Sequence, residues 1–415
     1  MSTPSIASTA APTAMPSSLV VLFLSLLLGI QPITTDLYLP ALPSLTTGFA
    51  ASMAQAQLTL TALLLAFGSS QLVWGPLSDR FGRRPILLSG LAVYTVAALG
   101  SALAPSMDLL VLWRTLQGAA MGAVVMCARA LVRDLYPPEQ GARAMSKGLS
   151  GLGVIACICA PLGGLLSDLF NWRAALLVLA LFSAATLALV AWRFVETAPR
   201  TNPQALRPAV LWATWRLILR NPTFWAFSLL ATASYSVLFT VLASSSFVFI
   251  QVLGLGTTTY GLVMFSFSFI YLLGTFLCRR LLARCGVRRT VAIGAGLSLA
   301  GGSAMGLLAW GGWHSPAAIV LPFWLVALAH GIHQPCSQSG AVGPFPQAAG
   351  AASALNGFCM MLAAFFVGRW LGVRMDGTVF PLANGVWFWS VCIALVGWTL
   401  VQKFGTPAPV APSKV

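Results

Sequence analysis

Charge is scarce in this chain. Of its 415 residues only 7% are charged, and just eight are acidic. Water-soluble globular domains carry about a quarter charged residues, so composition excludes a soluble fold of this length. Histidine is scarcer still, with His314, His330 and His333 all late in the chain. No Ser/His/Asp set, H-E-x-x-H stretch or phosphate-binding glycine loop accompanies them, so the sequence supports no enzyme. The opening MSTPSIASTAAPTAMPSS holds no Lys or Arg, and so no basic start of a secretion signal. Residues 1–16 and 404–415 are expected to be short disordered tails. The eight cysteines fall in apolar stretches or beside basic loops, which argues for packed thiols rather than a disulfide framework.

Apolar residues make up 58% of the chain. They form twelve segments long enough to cross a hydrocarbon core of about 30 Å as helices: 17–40, 55–77, 86–104, 109–132, 146–168, 173–194, 223–250, 258–279, 289–312, 316–341, 350–372 and 382–403. Strands of a membrane barrel would instead alternate over runs of about ten residues. The expected fold is an all-α polytopic membrane protein of twelve transmembrane helices.

The formal net charge of +15 does not point to nucleic acid, because the basic residues sit in short clusters between apolar segments. With the N-terminus placed in the cytoplasm, nineteen of the 23 Lys and Arg fall on that side. Only Arg173, Arg369 and Arg374 fall on the other, and Arg114 lies inside span 4. Such a bias predicts both termini in the cytoplasm. The one long polar interruption, 196–222, separates six spans (17–195) from six more (223–403). Its second half, with Trp212, Trp215 and Leu219 beside Arg216 and Arg220, is expected to lie on the lipid surface.

After span 2 the chain reads GPLSDRFGRR, and after span 8 RRLLARCGVRR. Aligning Gly82 with Gly286 puts Leu77 on Leu281, Arg80 on Arg284 and Arg84 on Arg288, as expected of a parallel repeat of two halves. The first stretch, from Gly75 through Asp79, Arg80, Gly82, Arg83 and Arg84, resembles the loop signature G-x-L-[AS]-D-[RK]-x-G-[RK]-[RK] of the major facilitator superfamily at every defined position. DLYLPALP, LWRTLQGAAMGA, ALVRDLYPPEQGARAMS and APLGGLL resemble, more narrowly, the Bcr/CflA group of bacterial drug efflux proteins; GAASALNG is a weaker match in the second half. The resemblance implies two pseudo-symmetric six-helix bundles and export of hydrophobic drugs in exchange for protons, in the bacterial inner membrane. It implies no cofactor and no metal. The partners it implies are a small-molecule substrate, protons and lipid, with the chain acting as a monomer. A dedicated carrier for one metabolite is the alternative, since one fold serves both. In span 5, ACICAPLGG departs from the antiporter pattern G-x-x-x-G-P-x-x-G-G: Ala156 and Ala160 occupy glycine positions, while Pro161, Gly163 and Gly164 are kept.

Asp36, in QPITTDLYLPALP, is a carboxylate placed in an apolar run. An ionised Asp near a bilayer centre costs about 2.5–3.5 kcal/mol, so such residues usually face a cavity and carry function. About 20 residues counted from Ser17 end at Asp36, which would put it at the outer interface; the apolar pattern continues beyond it, which favours a longer helix with Asp36 inside. Arg114, followed by Gln117, is the expected counterpart at similar depth. Desolvation would disfavour the charge of Asp36 and a nearby Arg114 would favour it, so a modest rearrangement could add or remove the proton. The resemblance implies that Arg114 belongs to the proton-coupling machinery. Asp79 and the arginines around it are expected to gate the cytoplasmic side, with Asp79 favouring a helix N-terminus. His330 and His333 lie three apart on span 10, too few ligands for a metal and better suited to lining a cavity or to a second proton site. Tyr235, Phe239, Phe265, Phe269 and Asn356 fit a mostly apolar pocket, or plain helix packing.

Overall fold

The computed structural model describes residues 15–136, 138–198 and 205–405, so the expected tails lie outside it apart from 15–16 and 404–405. Every described element is helical. The first bundle comprises α1 (Ser17–Asp36), α2 (Met53–Phe81), α3 (Arg83–Ala102), α4 (Met107–Leu135), α5 (Pro138–Leu169) and α6 (Trp172–Arg193). A short helix, α7 (Pro208–Leu219), follows with only Ile218 buried, as expected of a helix lying on the lipid surface. The second bundle holds α8 (Pro222–Ser246), α9 (Thr257–Trp310), α10 (Pro316–Val342), α11 (Ala349–Arg374) and α12 (Phe380–Trp398).

Helix α9 accounts for the apparent shortage of crossings. Its 54 residues would make a straight rod of about 80 Å, far more than a membrane admits. Gly286 breaks it, with φ 71° and ψ 175°. The eleven long apolar helices therefore make twelve crossings. Gly82 separates α2 from α3 in the same way, with φ 96° and ψ 167°. Both glycines lie on the face that carries most of the arginines, called here the basic face.

Local sequence explains most helix starts. Ser52 and Gln55 form a capping box on α2, and Ser106, Asn171, Asn221 and Ser315 cap α4, α6, α8 and α10 through side-chain oxygens. The expected long first helix is not continuous. It stops at Asp36, passes through a 3-10 turn at Leu39–Ala41 and resumes at Leu42–Gly48. Pro40 and Pro43 lack the N–H that an unbroken helix would need, but suit the first turn of a new one. The spanning segment as a whole still runs Ser17–Gly48, so Asp36 lies within it.

The bundles meet along two seams, α2 against α11 and α5 against the first limb of α9. The repeat exchanges these seams, since α2 corresponds to the first limb of α9 and α5 to α11. Small residues let the backbones close. A Cβ on Gly164 would lie 2.6 Å from the Thr257 carbonyl oxygen, and one on Gly261 2.8 Å from that of Ala160.

Candidate functional site

Asp36 is the only carboxylate more than three residues inside any described span. It is half-buried at the break in α1, and Oδ1 accepts a 2.7 Å hydrogen bond from Thr35 Oγ1. Tyr235 of α8 and Tyr260 of α9 lie within its electrostatic reach, so both bundles contribute to its surroundings. Tyr235 also neighbours Gln31, one turn before Asp36. The Tyr260 hydroxyl is tied to Ser245 at 2.9 Å.

Arg114 is fully buried, but the expected ion pair with Asp36 is not formed. Among the described residues no carboxylate lies within salt-bridge reach of it. Its Nη1 donates to Gln117 Oε1 at 2.8 Å and its Nη2 to the Thr34 carbonyl at 2.9 Å. The guanidinium stands 4.3 Å from the centre of the Tyr38 ring. Thr34 belongs to the last turn of α1, where carbonyls lack helical partners and a cation is favoured. Arg114 therefore satisfies the broken helix end, two residues from Asp36 in sequence, and the ring and carbonyl offset part of its desolvation. Thr34 Oγ1 and Tyr94 Oη, 2.6 Å apart, extend the network to α3, and Tyr38 Oη reaches Thr59 of α2 at 2.9 Å. Gly163 lets α5 close on the same break: a Cβ there would collide with the Leu37 carbonyl. Gly164 faces Thr257 instead, so the two glycines after Pro161 serve α1 and α9 respectively.

The remaining cavity candidates divide. Tyr235 stacks on Phe239 with ring centres 6.5 Å apart, and both are buried. Asn356 donates to Gln338 Oε1 at 3.2 Å and is fully buried. His330 pairs with Ser234 through Nδ1 at 2.8 Å, beside Tyr271. His333 does not join it; it packs against Gly294 in the second limb of α9, where a Cβ would come within 2.6 Å of Nε2. Phe265 stacks on Phe269, and both are exposed rather than enclosed in a pocket.

On the basic face, Arg83 is the centre of the loop. Its Nη1 donates to Asp79 Oδ1 at 2.7 Å and to Ser78 Oγ at 2.8 Å, and its Nε to Asp134 Oδ2 at 2.8 Å. Asp79 thus pairs with the Arg83 side chain, and the N-terminus of α3, next along the chain, is capped by another carboxylate. That role belongs to Glu196, whose carboxylate accepts the backbone N–H groups of Arg83 and Arg84 at 2.9 and 3.0 Å. Burial pushes the proton affinity of Glu196 up. Backbone N–H bonds from Ala198, Arg83, Arg84 and Thr197 outweigh it and hold the carboxyl below its usual range. Arg84 clasps the Phe194 and Ala191 carbonyls, each at 3.0 Å, and ties the end of α6 to the start of α3. Gly75 sits against Met126 of α4, and Arg80 lies over its neighbour Phe81. On this side Arg129 Nη1 reaches across to Ser353 Oγ at 3.0 Å and joins the bundles directly. Glu196 and Asp134 escaped the sequence reading. Glu196 serves backbone groups more than a hundred residues away, which no spacing reveals.

Two six-helix bundles, repeated in parallel and meeting around Asp36, the one carboxylate set deep within a described span, define a membrane transporter architecture. The chain belongs to the Major Facilitator Superfamily, whose family model matches residues 24–368. It is 28% identical to a "Chloramphenicol resistance protein" of Pseudomonas aeruginosa, over 78% of this chain and 76% of that one. It is also 28% identical to "Multidrug resistance protein D" of Escherichia coli (81% and 84%), and 26% identical to a "Bicyclomycin resistance protein homolog" of Haemophilus influenzae (87% and 91%). Among solved structures, the xylose transporter XylE from E. coli in a partially occluded inward-open conformation superposes with a TM-score of 0.74. That match covers 95% of this chain and 99% of the other at 16% identity, a likeness of fold.

Proposed function

We propose that this protein is a secondary transporter that exports hydrophobic antibiotics in exchange for protons, by rocking its two bundles about a site beside Asp36. The observation that carries the reading is the position of Asp36. It is a carboxylate at a helix break inside a span, within reach of side chains from both bundles. The names of the relatives support the substrate class. The basic bias of the loops supports cytoplasmic termini, and the bacterial relatives an inner-membrane location. The chain is taken to act as a monomer.

In this scheme a proton from outside neutralises Asp36 and permits the inward-facing state. Drug entering from the cytoplasm displaces the proton, and the loaded carrier reopens outward. Arg114 keeps the broken end of α1 in place while Asp36 changes charge. Asp79, Arg83, Asp134 and Glu196 hold the α2–α3 turn as one unit on the cytoplasmic side. Tyr235, Phe239, Asn356 and His330 are the second bundle's contribution to the wall of the cavity.

The test is proton movement in inside-out vesicles holding an imposed gradient, acid inside, while unrelated antibiotics are added. Several drugs should collapse the gradient with the wild type and none with Asp36→Asn at equal expression. Drug-driven proton release by Asp36→Asn would sink the scheme. Movement of one metabolite alone would mark a dedicated carrier.

A further inference from the structure

The end of the seam away from the basic face carries a carboxylate that the transport scheme does not use. Asp168, the penultimate residue of α5, reaches across to the first turn of α9 in the other bundle. It accepts the Thr258 backbone N–H at 3.1 Å, the Thr258 hydroxyl at 2.5 Å and the Thr257 hydroxyl. The residue before helix α9 is Gly256, which offers no side-chain cap of its own. Asp168 supplies that cap from the opposite bundle, at the helix end where a negative charge is favoured. The backbones are closest at the same place, at Gly164 against Thr257 and at Gly261 against Ala160. A second polar tie between the bundles runs from Gln57 of α2 to the Ala243 carbonyl of α8.

The capped turn leads straight to the site. Tyr260, two residues after Thr258, is fully buried, bonded to Ser245 and within electrostatic reach of Asp36. We infer that Asp168 is a positioning residue of the transport cycle. It latches the first turn of α9 over Asp36 and so holds the outer mouth shut, and it must release that turn for Asp36 to meet the outside. Opening parts α5 from α9, leaving the carboxylate and the uncapped helix to water. The latched and released states thus differ by about the worth of one helix cap, enough to bias the cycle without freezing it. The inference rests on the rocking of the bundles proposed above, though not on what the carrier exports.

Hydrogen–deuterium exchange of the full chain in lipid nanodiscs separates a latch from a merely structural contact. With Asp168→Ala, the amides of residues 257–260 should exchange about fivefold faster, the factor that loss of a typical cap implies. The basic-face peptide covering residues 78–86 should exchange more slowly, because opening one mouth closes the other. Thr258→Val should give the same reciprocal pattern with Asp168 intact, and Asp168→Glu should restore much of the protection. Faster exchange at both faces would mark a folding defect and overturn the latch. So would unchanged exchange in Asp168→Ala while the wild type shows reciprocal exchange on addition of drug or acid. A wild type whose faces never exchange reciprocally would overturn the rocking scheme and the latch together.

Discussion

Gly82 and Gly286 hold nearly the same backbone conformation at matching span boundaries of the two halves. Both lie in a region of positive φ with ψ near 180° that is essentially closed to other residues. Their surroundings differ. A Cβ on Gly82 would come within 2.6 Å of Glu196 Oε2, whereas nothing lies within 4 Å at Gly286. Gly286→Ala should therefore cost only backbone strain, about 1–3 kcal/mol. Gly82→Ala should cost that strain and also displace the Glu196 cap. Thermal unfolding of the purified variants should rank Gly82→Ala below Gly286→Ala; equal losses would mean that Glu196 yields freely.

Arg114 should not tolerate lysine. A single ammonium cannot bridge Gln117 and the Thr34 carbonyl while lying flat over Tyr38. Losing one charge-assisted bond in a buried site costs about 1.5–3 kcal/mol. Arg114→Lys should lose at least tenfold in drug-driven proton flux, with assembly in the membrane retained. Wild-type flux would show that charge alone suffices there.

Gly163→Ala tests the close approach of α5 to the break in α1. The added methyl meets the Leu37 carbonyl, which is backbone and cannot rotate aside. The break beside Asp36 has to move, so transport should fall sharply, whereas Gly254→Ala, in open space at a positive φ, should pay only local strain. Drug-resistance assays at matched expression would show the contrast, and equal activity of the two variants would refute it.

Glu196 gives a pH signature outside the membrane. In the unfolded chain its carboxyl titrates near 4.5; in the folded protein the four backbone N–H bonds hold it lower despite burial. The folded state thus binds this proton less tightly, and the stabilisation is fully present above pH 4.5 and lost as pH falls through the lowered value. Wild type should exceed Glu196→Gln in stability by about 1 kcal/mol at neutral pH, the worth of a helix cap. The gap in melting temperature should narrow as pH drops below 4.5. A gap unchanged down to pH 3.5 would assign the stabilisation to packing instead.

Much of the fold was legible in the sequence because lipid imposes one rule on every crossing, a long apolar helix. The equivalence of Gly82 and Gly286 was legible too, since only glycine adopts their conformation and the flanking arginines repeat. The partners of charge were not. Sequence offers Asp36 as the obvious mate for Arg114, yet the folded chain uses a helix-end carbonyl, an amide and an aromatic ring. Backbone acceptors have no letter in a sequence. The same blindness hid Glu196, and it made His330 and His333 look equivalent. Three positions along a helix leave a rotation of about 60°, enough to point one at Ser234 and the other at Gly294.

The separation of Arg114 from Asp36 bears on how the membrane voltage is used. An arginine does not release its proton, so the two groups together are neutral when Asp36 is ionised and carry +1 when it is protonated. An electric field does work only on the charged form, up to about 2.3 kcal/mol per 100 mV for a charge crossing the whole field. If Asp36 is the coupling site, the proton-bearing leg of the cycle is electrogenic. For an uncharged drug such a carrier would run on membrane potential alone, with equal pH on both sides.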